Sequence, residues 1–187
     1  EPVYPMKREE ALKVILSSMT EDDFLVSTTG KTSREIFEIR EANGQAHSHD
    51  FLTVGSMGHT SSIAMGMAMG TDARVYCIDG DGSFIMHMGA AAITAQNAPE
   101  NFKYILINNG AHESVGGQPT VGFDIDVPAI LKGCGYKEVI EAKDQSSLVT
   151  AMETLKTADQ TAVIVYTRQG SRDDLGRPTV GPEDNKL

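Results

Sequence analysis

Val75-Tyr-Cys-Ile-Asp-Gly-Asp-Gly-Ser83 is the stretch that decides the fold. Its first four residues form a continuous apolar run, where a strand with one wet face would alternate. Such a run marks a strand covered on both sides, and residues 104–107 and 162–165 repeat it. The polar, glycine-rich end of the stretch then leads into a helical pattern over 83–97, so the unit reads strand, turn, helix.

Working outward, the same alternation fills the chain. Helices are predicted over 7–18, 55–70, 127–133 and 144–157, the last with Leu148, Met152 and Leu155 on one stripe. A further helix is predicted to open at a capping box formed by Thr32 and Glu35 and to carry Ile36, Phe37 and Ile39. Strands are expected at 24–27, 51–54, 74–78, 103–107, 136–141 and 161–167, separated by polar loops over 42–50 and 108–124. Strand–helix alternation of this kind gives a three-layer α/β/α sandwich on a mostly parallel sheet of about six strands. One such domain, 7–167, uses most of the 187 residues. Residues 1–6, with two prolines and no helical period, read as an interdomain linker, and 168–187 as a tail that runs over the surface or packs on a partner. A chain opening on Glu1 rather than Met reads as part of something longer.

Composition narrows the function classes. Acidic residues number 26 and basic residues 16, a net charge of −10. So acidic a chain is a poor partner for nucleic acid or an anionic membrane. No apolar run approaches the roughly 20 residues of a membrane helix, and no signal peptide opens the chain. Two cysteines, Cys77 and Cys134, make no disulfide framework, and a cytoplasmic location is expected.

In an open parallel sheet, ligands bind at the carboxyl ends of the strands. Four successive strand ends here are polar and glycine-rich: Thr28-Thr-Gly-Lys-Thr-Ser33, Gly55-Ser-Met-Gly-His59, Asp79-Gly-Asp-Gly-Ser83 and Asn108-Asn-Gly-Ala-His112. Gly80 and Gly82 let backbone approach a ligand at a helix N-terminus, which favours an anion. Asp81 between them would repel a bare phosphate unless a cation stands between, and hard oxygen ligands with phosphate describe Mg²⁺. Taken alone, Gly-Asp-Gly is also compatible with a plain tight turn. The stretch Gly30-Lys-Thr-Ser33 lacks the upstream glycine of a phosphate-binding P-loop. No GxGxxG follows a strand, which argues against a dinucleotide-binding domain.

Gly80-Asp-Gly-Ser83 followed by Asn108-Asn109 resembles the fingerprint of the thiamine diphosphate enzymes. The longer strings Ser27-Thr-Thr-Gly-Lys-Thr-Ser-Arg34, Val54-Gly-Ser-Met-Gly-His59 and Asn108-Asn-Gly-Ala-His-Glu-Ser-Val-Gly-Gly-Gln-Pro-Thr120 resemble the phosphonopyruvate decarboxylases, with the β subunit of sulfopyruvate decarboxylase as the alternative. The resemblance implies the diphosphate-binding domain of such an enzyme, with thiamine diphosphate and Mg²⁺ as cofactors. It implies Asp81, Asn109 and the Ala111 carbonyl as metal ligands, with Asn108 and the Gly110 carbonyl as a second possibility. Thr29, Gly30, Lys31 and Ser83 are expected to donate to the diphosphate. In Gly55-Ser56-Met57-Gly58, the Gly55 carbonyl is expected to take the cofactor's 4′-amino group, and Met57 to support the bend between its rings.

The implied reaction is non-oxidative decarboxylation of a 2-oxo acid with an anionic head, giving phosphonoacetaldehyde and carbon dioxide from phosphonopyruvate. Lys31 and His112 are the candidate cations for that head, and His112 the candidate catalytic residue. The activating glutamate in this family comes from a separate pyrimidine-binding domain, usually across a subunit interface. A homo-oligomer is therefore expected, docked through the sheet edge and helix 55–70, and this chain is expected to be inactive alone. Glu113 reads as a solvated loop acid, His59 as a packing or capping residue, His87 as structural within its helix, and Met65, Met67 and Met69 as core filler. His47 and His49 are assigned no metal. A non-catalytic, cofactor-holding subunit is the rival reading.

Overall fold

A computed structural model describes residues 3–176. In chain order the elements are α1 (Arg8–Ser18), β1 (Phe24–Ser27), α2 (Lys31–Ala42), β2 (Asp50–Leu52), α3 (Thr60–Met69), β3 (Val75–Gly80), α4 (Asp81–Met86), α5 (Ala90–Asn97) and β4 (Phe102–Asn108). A short hairpin, β5 (Ala111–His112) and β6 (Gln118–Pro119), precedes α6 (Val127–Cys134), β7 (Glu138–Ala142), α7 (Gln145–Thr157) and β8 (Thr161–Tyr166). Six strands form one sheet in the order β2-β1-β3-β4-β8-β7, every neighbouring pair parallel. The expected α/β/α sandwich is thus present.

Alternation along the strands sorts side chains between two cores. Tyr76, Ile78, Ile105, Ile107, Val163 and Val165 face α1, α2 and α7. Val75, Cys77, Tyr104, Leu106, Ala162 and Ile164 face α3, α5 and α6, where Ala64, Ala68, Ala91 and Ala95 let the helices come close. Both faces being covered explains why the central strands read as unbroken apolar runs. The edge strand β7 is only partly buried.

Three local expectations need correction. Helix α2 begins at Lys31 behind Gly30, whose φ of 105° suits glycine, and no capping box forms. The predicted helix 83–97 is two helices, broken at His87, where φ −133° and ψ 49° leave the helical region. The small-residue helix starts at Thr60, so Gly55–Gly58 is loop, and Met69 is 59% exposed rather than core.

The segments flanking the sheet run together. Met6 is buried in the core, and Tyr4 stacks on Tyr166. The Arg168 N–H donates to the Met6 carbonyl at 2.8 Å, and Arg172 reaches Glu9 and Glu38. The expected linker therefore lies against the domain over residues 4–6, and the expected tail crosses α1 and α2 over 168–176. The rest of that tail, 177–187, lies outside the described residues, as do residues 1–2. Among the described residues, no helix is long and apolar enough to cross a membrane.

Candidate functional site

The sheet order reverses at β1: one connection leads outward to β2 and the next returns to β3 on the other side. Such a switch point opens a crevice beyond the carboxyl ends of the strands. A cavity lies there, lined from β1–α2 by Thr29 and Lys31, from β3–α4 by Gly80, Asp81, Gly82 and Ser83, and from β4 onward by Asn109, Ala111 and His112. Met57 also lines it. Loops distant in sequence thus meet because their strands are neighbours. Gly30 adjoins the same loops, an added Cβ there lying 3.1 Å from Ser114 Cβ. Gly55 and Ser56 are exposed and do not line the cavity, and Ser56 has a φ of 53°.

Asp81 is the first residue of α4 and is buried. Burial pushes its carboxyl above the ordinary value, although it accepts a hydrogen bond from the Thr120 hydroxyl. A buried carboxylate that forms no salt bridge among the described residues is the arrangement a cation relieves. Burial likewise raises Asp79, to about 6. The two asparagines differ. Asn108 is fully buried, donates from Nδ2 to the Gly122 carbonyl at 2.6 Å and accepts from the Gly110 N–H at 3.2 Å. The Gly110 carbonyl is itself taken by the Thr120 N–H at 2.9 Å. Asn109 instead lines the cavity, its Oδ1 accepting from the Ala111 N–H at 3.1 Å.

The cavity also has polar groups from the β1–α2 turn and the start of α4. Thr28 Oγ1 is buried without a hydrogen-bond partner and Thr28 lines the cavity, a residue absent from the sequence-derived set. Ser83 Oγ accepts from the Gly58 N–H at 3.1 Å, which pins the Met57 loop to α4. His112 packs over Gly82. Among the described residues, no group of three His, Cys, Asp or Glu side chains could by itself hold a metal ion. One carboxylate, one amide oxygen and one carbonyl are hard ligands suited to Mg²⁺, with the remaining positions left to phosphate and water.

Other residues singled out by sequence take different places. Glu113 is not solvated: it pairs with Arg8 at 2.5 Å and accepts the Gly170 N–H. Burial pushes its carboxyl up, but the Gly170 N–H and Arg8 outweigh that and hold it below the usual range. Arg8 and Glu35 were not foreseen, because their ion pair spans 27 residues and leaves no local pattern. His59 packs on His87 with ring centroids 4.3 Å apart, and both are exposed. His47 bonds Glu41 at 2.7 Å, and His49 the Glu21 carbonyl at 2.7 Å.

Residues 28–166 match the family described as "Thiamine pyrophosphate enzyme, C-terminal TPP binding domain", and the chain belongs to this family. The particular relatives are of two kinds. It is 37% identical to a phosphonopyruvate decarboxylase of Streptomyces viridochromogenes over 95% of this chain and 44% of that one. It is 34% identical to the sulfopyruvate decarboxylase subunit beta of Methanocaldococcus jannaschii, over 73% of this chain and 70% of that one. The corresponding subunit of Methanococcus maripaludis is 29% identical over 97% of this chain and 94% of that one. The chain therefore spans less than half the length of the phosphonopyruvate decarboxylase it matches. Benzoylformate decarboxylase from Polynucleobacter necessarius superposes with a TM-score of 0.71 over 88% of this chain and 33% of that one, with 20% identity, which speaks for the fold alone.

Proposed function

We propose that this chain supplies the diphosphate and Mg²⁺ half of a thiamine diphosphate-dependent decarboxylase acting on phosphonopyruvate. The observation that carries the reading is the convergence of Asp81, Asn109, Ala111, Thr28 and Lys31 on one cavity at the switch point. Asp81, Asn109 Oδ1 and the Ala111 carbonyl would hold the metal. The competing pair, Asn108 and the Gly110 carbonyl, is already engaged within the loop. Thr28, Thr29, Lys31, Ser83 and the backbone at Gly30, Gly80 and Gly82 would take the diphosphate. Ser56 and Gly55 belong to the loop whose Gly55 carbonyl and Met57 would orient the rings. Bound there, thiamine diphosphate supplies the electron sink for breaking the bond to the carboxylate carbon.

Lys31, shared with the diphosphate, and His112 are the side chains offered to the substrate's anionic head. The chain's own charge is unfavourable to such a head, so its attraction is local. The pyrimidine-binding partner would bring the activating glutamate and cover exposed Phe51, Val54 and Met69, in a homo-oligomer or a two-subunit enzyme. A second reading, the sulfopyruvate β subunit, is favoured by the 94% coverage of the Methanococcus maripaludis subunit. Specificity constants for phosphonopyruvate, sulfopyruvate and pyruvate, measured with a pyrimidine-binding domain present, separate the readings. Preference for phosphonopyruvate is expected. A preference for sulfopyruvate moves the assignment to the second reading, and one for pyruvate removes the charged head from it.

A further inference from the structure

Arg8 opens α1 and is 6% exposed. Its guanidinium grips Glu35 on α2 with two prongs, Nε to Oε2 at 2.7 Å and Nη2 to Oε1 at 3.0 Å. Its third nitrogen, Nη1, donates to Glu113 Oε2 at 2.5 Å, and Nη2 also reaches Ser171 Oγ at 2.7 Å. Glu113 takes the Gly170 N–H as well. Arg8 and Glu113 both line the cavity.

Direct attraction of a phosphate by Arg8 is a poor account of this arrangement. Two carboxylates surround one guanidinium, so they outnumber its charge, and four of its five N–H donors are taken. Its geometry has another consequence. Glu35 lies one turn into the helix whose first residues, Lys31 and Thr32, line one wall of the cavity. Glu113 lies two residues beyond Ala111, on the other wall. The walls come close: a Cβ added to Gly30 would stand 3.1 Å from Ser114 Cβ and Oγ. A planar guanidinium with fixed donor directions is suited to setting the distance between two carboxylates, where an ammonium is not.

We infer that Arg8 is a positioning residue: it clamps Glu35 to Glu113 and so sets the separation between the β1–α2 turn and the loop that carries Asn109 and Ala111. The inference rests on the proposed cofactor reading for its consequence, but the clamp itself can be read without cofactor.

The test uses the full chain and the variants Arg8→Lys, Arg8→Met, Glu113→Gln and Arg8→Met/Glu113→Gln. Thiamine diphosphate is titrated calorimetrically at saturating Mg²⁺. Amide exchange is followed separately in ligand-free protein. Arg8→Met is expected to weaken cofactor binding by about tenfold or more, as loss of a ligand-orienting partner does. Arg8→Lys keeps the charge and guards against a failure to fold, and it is expected to restore less than the full affinity. The double variant should match Arg8→Met to within about twofold, because Arg8 acts through Glu113. Ligand-free exchange at Gly170 and Ala111 should quicken in Arg8→Lys while β4 stays protected. Folded Arg8 variants that bind as tightly as the parent overturn the inference, and so do effects that multiply in the double variant. If the parent itself binds no thiamine diphosphate, the functional reading fails, and unchanged loop exchange in the variants then overturns the clamp on its own.

Discussion

The His112 imidazole occupies the space where Gly82 would carry a side chain: a Cβ on Gly82 would stand 2.5 Å from His112 Cε1 and 2.6 Å from Nδ1. The glycine at this position is therefore required by a neighbour 30 residues away, as well as by any ligand. Gly82→Ala must either displace the ring or shift α4. The expected loss is about 1–3 kcal/mol, the usual result of overpacking. Adding His112→Ala should recover most of it. Thermal unfolding of the three variants checks this, and no recovery in the double variant would place the clash elsewhere.

The asparagines should separate by phenotype. Asn108→Ala leaves the Gly122 carbonyl and the Gly110 N–H without their partner, in a buried loop. A loss of stability of about 1–3 kcal/mol is expected, the scale for unpaired buried polar groups. Asn109→Ala should cost less stability and more Mg²⁺ affinity. Asp81→Ala should abolish the Mg²⁺ dependence of thiamine diphosphate binding. Unfolding curves beside cofactor titrations, with and without Mg²⁺, read both properties, and an Asn108 variant with the larger Mg²⁺ defect would reverse the ligand assignment.

Glu113 is held by Arg8 and Gly170, so it is not free to activate a cofactor. The purified chain, given cofactor and Mg²⁺, is expected to bind without turnover, and decarboxylation should appear when the pyrimidine-binding domain is added. Carbon dioxide release by the chain alone would remove the requirement for a partner.

Tyr76 is fully buried in β3 and its hydroxyl has no hydrogen-bond partner. Burial pushes its pKa from 10.0 to about 12. The neutral form is favoured in the fold, so its contribution is fully present below pH 10 and is lost as pH rises through about 12. Tyr76→Phe should flatten the alkaline fall in stability over that window. At neutral pH it should be neutral or stabilising by up to about 1 kcal/mol, since no hydrogen bond is broken. Denaturant unfolding at pH 7 and pH 11 checks both statements, and a marked loss at pH 7 contradicts them.

The parallel sheet was legible because burial on both faces makes its central strands apolar throughout, as in Ile105–Ile107. The cavity was largely legible too, because Asp81 and Asn109 follow adjacent strands. What escaped reading depends on distant contacts. Glu35 has the spacing of a capping partner, yet its carboxylate serves Arg8. Met86-His-Met-Gly89 contains no proline, so the break between α4 and α5 left no strong local mark. The hairpin Ala111–His112 with Gln118–Pro119 is too short for any alternation to show.

The pairing of Met6 with Arg168 brings the entrance and exit of the sandwich side by side. A domain whose ends meet on one surface tolerates rearranged covalent connection. That property suits a unit passed between genetic arrangements, whether fused to a neighbour or encoded separately. The relatives show both formats: this chain corresponds to 44% of one polypeptide and 94% of another.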